Sequence, residues 1–336
     1  MKRVATGAGV VVGLWLVNGL AAGSLVPGFR ISPYLLQVVC LAGINIILAV
    51  SLNLINGFTG QFSIGHAGFM AIGAYSSAFL TVTFGTRLRG MLAFLPEGAQ
   101  SGVLLLAGLS VAAVLAAIAG FLVGVPSLRL RGDYLAIVTL GFGEIIRVFI
   151  LNIDAVGGAR GLSGIPRLAD FFWIYLFAVI TILVVSRIVG SSFGRTLIAI
   201  REDEIAAEAM GVDTTKSKVI SFIVSSAFAG IAGGLFGHYL MYLHTNSFTF
   251  LKSIEIIIMI VIGGLGSITG SVLGAILYIG LTEGLREFAQ YRMVVFSLLL
   301  VVLMIVRPQG ILGHREFVNL LPRRWRLGVE APPTHG

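Results

Sequence analysis

The sequence predicts an all-α protein, a polytopic transmembrane helical bundle of about ten spans. Of its 336 residues, 57% are hydrophobic and only 11% are charged, whereas soluble domains carry roughly 25% charged residues. The mean hydropathy is +0.99. Apolar windows of about bilayer length follow one another along the chain. These windows cover residues 4–22, 34–52, 62–84, 101–124, 134–151, 171–189, 219–243, 248–262, 268–284 and 293–306.

The first window has two interpretations. It follows the basic residues Lys2 and Arg3 and ends in small residues near Ala22. That pattern fits a signal peptide or a retained first helix, and the apolar windows that follow favour a retained helix. The single cysteine, Cys40, lies in the second window. One cysteine excludes an intrachain disulfide and a cysteine metal cluster.

The distribution of Lys and Arg predicts that both termini lie in the cytoplasm. In that orientation the inside segments hold fourteen Lys and Arg residues and the outside segments eight, with Arg147 inside a window. Such an excess is typical of cytoplasmic segments. The net charge of +8 is scattered over segment ends, which argues against a nucleic-acid-binding patch. Residues 1–314 then form a transmembrane domain with a cytoplasmic loop at 190–218, and residues 315–336 form a cytoplasmic tail whose end is predicted to be disordered.

The loop at 190–218 is strongly charged although it lies between two apolar windows. Nine charged side chains fall within Gly194–Lys218, so this segment cannot lie in hydrocarbon. Charged residues alternate with alanines between residues 201 and 210, and Gly211 is a typical helix stop. The pattern predicts a short cytoplasmic helix with a small-residue face that a partner protein can contact.

Two uncharged, glycine-rich interruptions separate neighbouring windows, at Asn56–Gly68 and Gly263–Gly274. Irregular backbone at membrane depth occurs where it is buried in protein or lines a cavity, as in transporters. Tight turns between close-packed helices are the alternative, especially for the second interruption. Polar side chains in and next to the first interruption make it a candidate translocation path. These side chains are Asn53, Asn56, Gln61, Ser63 and His66.

Glu144 and Arg147 are ionisable residues inside the fifth window. Glu144 lies eleven residues from Asp133, about 16 Å along a helix, near the middle of a bilayer, where charged residues face a bundle interior or water. At a spacing of three residues Glu144 and Arg147 can pair with each other. A charged element of the path and a self-neutralised structural pair both remain open. Thr139, in the same window, is the last path candidate.

The sequence gives little support for a catalytic site or a metal site in this chain. Gly161–Gly164 matches the GxSG of intramembrane serine proteases, with His238 as a possible base. Ser163, however, falls in an external loop that contains proline, where Gly and Ser are ordinary turn residues. His66, His238 and His244 have no local metal-binding spacing. We therefore predict no catalytic residue, metal site or cofactor.

The source of energy separates the remaining classes of function. The chain contains no GxxxxGK[ST] nucleotide-binding loop, so it needs either an ion gradient or a separate ATPase. A gradient-driven carrier would need several carboxylates within its spans, and only Glu144 is placed deep. The charged helix favours an ATPase partner. A secondary carrier and a structural membrane scaffold remain alternatives.

The charged helix resembles the coupling loop of ATP-binding cassette (ABC) importer permeases, whose signature is Glu-Ala-Ala, three residues, then Gly. Ala206, Ala207 and Gly211 match this signature. Ile205 occupies the Glu position, and Glu204 lies one residue early. The resemblance implies that an ATPase contacts Arg201, Glu204, Ala206, Ala207, Glu208 and Gly211.

Four further segments resemble the branched-chain amino acid permeases of the LivM type, and they are Ser51–Tyr75, Leu128–Arg147, Ile260–Ala275 and Arg307–Gly313. The resemblance implies an importer of leucine, isoleucine and valine in the bacterial inner membrane. It also implies a second related permease, two ATPase subunits and a periplasmic binding protein. Permeases for urea and short amides share much of the pattern and remain an alternative.

Overall fold

The computed structural model describes residues 32–91, 93, 96–127 and 133–286, together with isolated positions between 294 and 311. Helices dominate these residues, whose β-pairing is limited to an isolated bridge between Leu162 and Leu243. The predicted all-α class is confirmed. The predicted first span (4–22), most of the last span (293–306) and the tail (315–336) lie outside the described residues.

The described residues form eleven α-helices. Their bounds are Pro33–Asn53 (α1), His66–Thr83 (α2), Gly85–Met91 (α3), Glu97–Ser127 (α4), Asp133–Leu151 (α5), Phe171–Val189 (α6), Ser192–Glu202 (α7), Glu204–Ala209 (α8), Thr214–Leu240 (α9), Phe250–Gly263 (α10) and Ile268–Gly284 (α11). A π-helical turn, Leu54–Phe58, continues α1. Short 3₁₀ turns lie at Asp154–Val156, Gly158–Arg160 and Thr245–Phe248.

Five of the described helices are long and apolar enough to cross a membrane, namely α1 with its π-helical turn, α4, α5, α6 and α9. Helices α2 and α3 meet at 62° and add a sixth span if the bent pair is counted as one. Helices α10 and α11 are apolar but shorter, with 14 and 17 residues. The chain is thus a multi-pass helical membrane protein, but the described helices do not confirm the predicted count of about ten spans.

Helix α1 lies at the centre of the bundle. Every residue from 42 to 59 is buried, and α1 packs against α6, α9, α10 and α11. Its side chains are apolar on all sides, among them the fully buried Ile47, Leu48 and Leu52. A helix that is apolar all round is suited to such a central position.

Helices α2, α4 and α9 pack closely on one another through small residues. A Cβ atom built at Gly230 of α9 would lie 2.5 Å from the Cβ of Ala116 in α4. Gly73 of α2 faces the backbone of the same Gly230. Small residues allow helix backbones to approach closely in lipid, so glycine at position 230 brings three helices together.

The first predicted interruption, Asn56–Gly68, begins inside the π-helical turn of α1. Residues 60–65 then have no regular secondary structure, and α2 begins at His66. The Thr59 hydroxyl donates a hydrogen bond back to the Leu54 carbonyl at 2.8 Å. Part of the predicted irregular segment is therefore helical, because the wider π turn and this side-chain hydrogen bond extend α1.

The second predicted interruption is a tight turn between α10 and α11. Gly264 and Gly266 have φ values of 120° and 79°, in the region that favours glycine. Asn53 holds the turn: its Oδ1 accepts from the Gly266 N–H at 3.0 Å, and its Nδ2 donates to the Ser267 carbonyl at 2.9 Å. We call this contact the Asn53 junction. It joins the end of α1 to the turn after α10, so the two interruptions meet at one end of the bundle.

Candidate functional site

The charged loop at 190–218 contains two helices, α7 and α8, instead of a single one. Between them Asp203 is extended, with φ −157° and ψ 109°. Its Oδ1 accepts hydrogen bonds from the N–H groups of Ile205 at 2.9 Å and Ala206 at 3.0 Å. Aspartate is favoured at this N-cap position because its side chain satisfies free N–H groups of the first turn. The prediction of one uninterrupted helix here is therefore wrong at Asp203.

Helix α8 ends in a Schellman motif at Gly211. The Gly211 N–H donates to the Glu208 carbonyl at 2.9 Å, and the Val212 N–H donates to the Ala207 carbonyl at 3.1 Å. Gly211 has φ 84°, the left-handed conformation that this motif needs. The predicted helix stop at Gly211 is confirmed.

Two predicted coupling residues of α8 contact the chain's own helix α9. Glu204 Oε2 lies 2.7 Å from Nζ of Lys218, whose side chain is 1% exposed. Glu208 Oε1 accepts a hydrogen bond from the Thr214 hydroxyl at 2.8 Å. Ala207 is buried on the same side. These contacts anchor α8 on the first turns of α9.

The opposite side of α8 is exposed and largely uncharged. Ile205 is 67% exposed and Met210 is 84% exposed. Ala206, Ala209 and Gly211 are also exposed. Two large apolar side chains thus project from a surface of small residues. Neither Ile205 nor Met210 is among the residues predicted to contact an ATPase, although large apolar side chains in a charged loop are a sequence signal for a contact surface.

Arg201 connects α7 to the π-helical turn of α1. Its Nη1 donates to the Gly57 carbonyl at 3.1 Å, while its Nε and Nη2 donate to Glu202. Gly60 packs against the Arg201 side chain, because a Cβ there would lie 2.7 Å from its Cγ. The charged loop is therefore bonded to the segment that carries the candidate path residues.

The path candidates Asn53, Asn56 and Ser63 are buried and hydrogen-bonded within the chain. Asn53 forms the Asn53 junction. Asn56 Nδ2 donates to the Ser63 carbonyl at 3.3 Å, and its Oδ1 accepts from the Ser63 N–H at 3.2 Å. These side chains close the irregular segment on itself. Gln61, which is partly buried, lies between them in the chain.

His66 and Thr139 attach the same segment to neighbouring helices. Nε2 of His66 is hydrogen-bonded to the Ser51 hydroxyl at 3.0 Å, across to α1. The Thr139 hydroxyl of α5 accepts from the Ile64 N–H at 3.1 Å. Both side chains are buried. The candidates thus lie together as a polar cluster at one end of the bundle.

Glu144 forms the pair that its spacing allows. Arg147 Nε donates to Glu144 Oε2 at 2.7 Å. Glu144 Oε1 also accepts from the Phe250 N–H at 3.2 Å, at the start of α10. A carboxylate near a helix N-terminus is stabilised by the free N–H groups there. These contacts give Glu144 a structural role between α5 and α10.

The geometry gives no support to a serine-protease site. His238 is buried and engaged on both ring nitrogens: Nδ1 donates to the Pro166 carbonyl at 3.1 Å, and Nε2 accepts from the Ser77 hydroxyl at 3.0 Å. Ser163 is exposed in the loop before α6. Within the described part of the chain, no group of three His, Cys, Asp or Glu side chains is placed to hold a metal ion.

Comparisons with known proteins agree on one family. The family described as branched-chain amino acid transport system / permease component matches residues 34–307. No solved structure matches the chain. The match begins at the second residue of α1 and extends past the end of α11.

Individual relatives cover most of the chain. It is 37% identical over 319 residues to the high-affinity branched-chain amino acid transport system permease protein LivM of Escherichia coli K12, covering 84% of this chain and 71% of LivM. It is 27% identical over 326 residues to a probable LivM of Methanocaldococcus jannaschii, covering 82% and 92%. It is 25% identical over 295 residues to E. coli LivH, covering 80% and 91%. The chain therefore belongs to the family of branched-chain amino acid transport system permeases, as a multi-pass transport subunit of the inner membrane.

Proposed function

We propose that the chain is the LivM-type permease subunit of an ATP-driven importer of leucine, isoleucine and valine. The family supports transport, and the names of the relatives support the substrate class. Separate ATPase subunits hydrolyse ATP, and a binding protein delivers the substrate from outside. A second related permease completes the path, since relatives named LivM and LivH both align with this chain.

The exposed side of α8 is the surface that the ATPase contacts. The observation that carries this proposal is the projection of Ile205 and Met210 from a helix anchored on its other side by Lys218. Exposed apolar residues grouped on a water-facing surface mark a protein-interaction site. Ala206, Ala209 and Gly211 let a partner approach the helix closely between them.

Force on α8 reaches the transmembrane helices through two contacts. Lys218 ties α8 to α9, and Arg201 ties α7 to the π-helical turn of α1. The Asn53 junction extends the second connection to α10 and α11. ATPase closure moves these helices relative to the second permease and so opens the path on alternate sides of the membrane.

Contact between α8 and an ATPase also requires that the charged loop lies on the cytoplasmic side of the membrane. For about ten spans, the excess of Lys and Arg on one side, fourteen against eight, supports an orientation with both termini and the charged loop in the cytoplasm. An ATPase is then on the correct side to contact α8.

The test is docking and uptake by the complete transporter reconstituted in proteoliposomes. The double variant Ile205→Glu/Met210→Glu should insert normally but lose ATPase binding and ATP-dependent leucine uptake, because it places charges in an apolar contact. Thr215→Glu, an exposed position of the same loop, is the matched control and should retain both. Normal ATPase binding by the double variant would remove α8 from the interface, and uptake driven by an ion gradient without ATP would replace the importer with a secondary carrier.

A further inference from the structure

A cavity of about 210 Å³ lies between α1, α2, α9, α10 and α11. One wall is polar and carries Asn45, Lys252, Glu255 and Thr282. The other lining side chains are the Tyr278 phenol and the apolar Leu41, Ile44, Met70, Phe236 and Ile279, which form the apolar wall. None of these residues belongs to the polar cluster around the first glycine-rich interruption.

The polar wall holds two opposite charges side by side. Lys252 Nζ lies 3.1 Å from Glu255 Oε2 and donates to Asn45 Oδ1 at 3.3 Å. Asn45 Nδ2 donates to the Leu41 carbonyl at 3.0 Å, which turns the amide oxygen toward Lys252. The side chains of Lys252 and Glu255 are only 19% and 22% exposed. An ammonium group has three donors, and the described contacts of Lys252 use two of them.

The cavity lies at the end of α10 opposite to the Asn53 junction. Lys252 is in the first turn of α10, and Gly263 at its other end adjoins the turn that Asn53 holds. The eleven residues between them span about 16 Å. The cavity is therefore in the half of the bundle away from α7 and α8, which is the external half in the proposed orientation.

Ionisable residues inside a membrane bundle are energetically costly, and they mark substrate or ion pathways. The volume is below the roughly 300–1,000 Å³ of sites for drug-sized ligands, so it suits a small metabolite. The lining residues suit a ligand that carries one positive and one negative group at one end and is apolar at the other end.

We propose that this cavity binds the transported α-amino acid as a zwitterion, an inference that rests on the proposed function. The ligand carboxylate bonds to Lys252 Nζ, and its ammonium group bonds to the Glu255 carboxylate and Asn45 Oδ1. The aliphatic side chain lies against the apolar wall. One ion pair is replaced by two, and no net charge enters the membrane. Amino acids with charged side chains are excluded, because the apolar wall offers them no partner.

The decisive experiment measures binding of radiolabelled leucine to the assembled transporter in nanodiscs, without the binding protein. Lys252→Met and Glu255→Gln should each weaken leucine binding by roughly tenfold or more, since each removes a charge-assisted hydrogen bond. Glu283→Gln is the matched control, because Glu283 pairs with Arg286 at the same three-residue spacing, at 3.8 Å, with the Arg286 side chain 67% exposed. The control should bind leucine like the wild type.

Two leucine analogues distinguish ligand contact from a structural role. Leucinol lacks the carboxylate, so its weak binding should not become weaker still in Lys252→Met. 4-Methylpentanoate lacks the ammonium group, so its weak binding should not become weaker still in Glu255→Gln. The yield and subunit composition of the purified complex should match the wild type in both variants, which reports intact assembly.

Leucine binding equal to the wild type in both variants would overturn the site, as would equal losses for leucine and both analogues. Absence of leucine binding to the wild-type complex would also overturn it. Uptake by the wild type with the binding protein tests the proposed function separately: if leucine is imported while the variants behave like Glu283→Gln, the proposed function stands and the cavity assignment falls. If no branched-chain amino acid is imported, the proposed function falls, and with it the substrate assigned to this cavity.

Discussion

Glu204→Gln should release α8 from the membrane-embedded part of the chain. Lys218 is 1% exposed, and its ammonium lies 2.7 Å from the Glu204 carboxylate. Replacing the carboxylate with a neutral amide leaves a buried, uncompensated cation. Removing one partner of a buried ion pair typically costs about 3–5 kcal/mol. Because α8 has only six residues, it cannot be stable as a helix without such an anchor.

Amide hydrogen exchange across residues 204–212 is the appropriate assay, since it reports local opening of α8. A cost of about 3–5 kcal/mol corresponds to roughly two to three and a half orders of magnitude in protection, down to the unprotected limit. Glu202→Gln is the control. Glu202 pairs with Arg201, but its side chain is 67% exposed, and such surface pairs contribute about 0–1 kcal/mol.

A second substitution makes the test stricter. Lys218→Met in the Glu204→Gln background removes the unpaired charge and should restore most of the protection, because an apolar side chain is tolerated in a buried position. If Glu204→Gln exchanges no faster than Glu202→Gln, the pair does not anchor α8. If the double variant exchanges as fast as Glu204→Gln, the loss does not come from the buried charge.

Two further predictions follow from the coupling segment and the Asn53 junction. Gly211→Val should reduce ATP-dependent uptake without loss of membrane insertion, because φ is 84° and a side chain there costs about 1–2 kcal/mol. The space around Gly211 is open and asparagine tolerates this conformation, so Gly211→Asn should be milder; equal uptake in Gly211→Val and the wild type would contradict the coupling role. Asn53→Leu should destabilise the protein by about 1–3 kcal/mol, seen as a lower midpoint of thermal denaturation in detergent, because the Gly266 N–H and the Ser267 carbonyl each lose a buried partner. Asn152→Leu, which removes an exposed hydrogen bond to the Val148 carbonyl, should leave the midpoint nearly unchanged, and similar midpoints for the two variants would refute the structural importance of the junction.

Hydrophobicity was enough to locate most helices. The predicted windows 171–189 and 268–284 coincide with α6 and α11, and the window 134–151 differs from α5 by one residue. Lipid accepts only segments that satisfy their own backbone hydrogen bonds, so an apolar run of this length is almost always a helix. The end of α8 at Gly211 could also be predicted from the sequence, because a helix C-terminus of this kind needs a left-handed residue at one position, which glycine supplies.

Contacts between residues that are far apart in the sequence could not be predicted in this way. Nothing in the sequence around Lys252 predicts its contact with Asn45, which is 207 positions away. Lys218 was read as one of many loop charges, although it is buried against Glu204. Asp203 was assigned to a helix because the sequence pattern around it is periodic, while its capping hydrogen bonds favour an extended residue. Pairings between helices are set by three-dimensional packing, which hydropathy does not encode.

The Asn53 junction fixes α1 and α10 to each other at one end only of each helix. Both helices leave the junction in the same direction, and the cavity adjoins α1 at Asn45, about 12 Å along that helix, and α10 at Lys252, about 16 Å along that helix. An increase of about 5° in the angle between α1 and α10 would move Lys252 by about 1.4 Å, the displacement at about 16 Å from the junction. The hydrogen bond between Lys252 and Asn45, at 3.3 Å, would then exceed hydrogen-bonding range. A rotation of a few degrees between α1 and α10 would thus break the contact between Lys252 and Asn45 in the polar wall of the cavity.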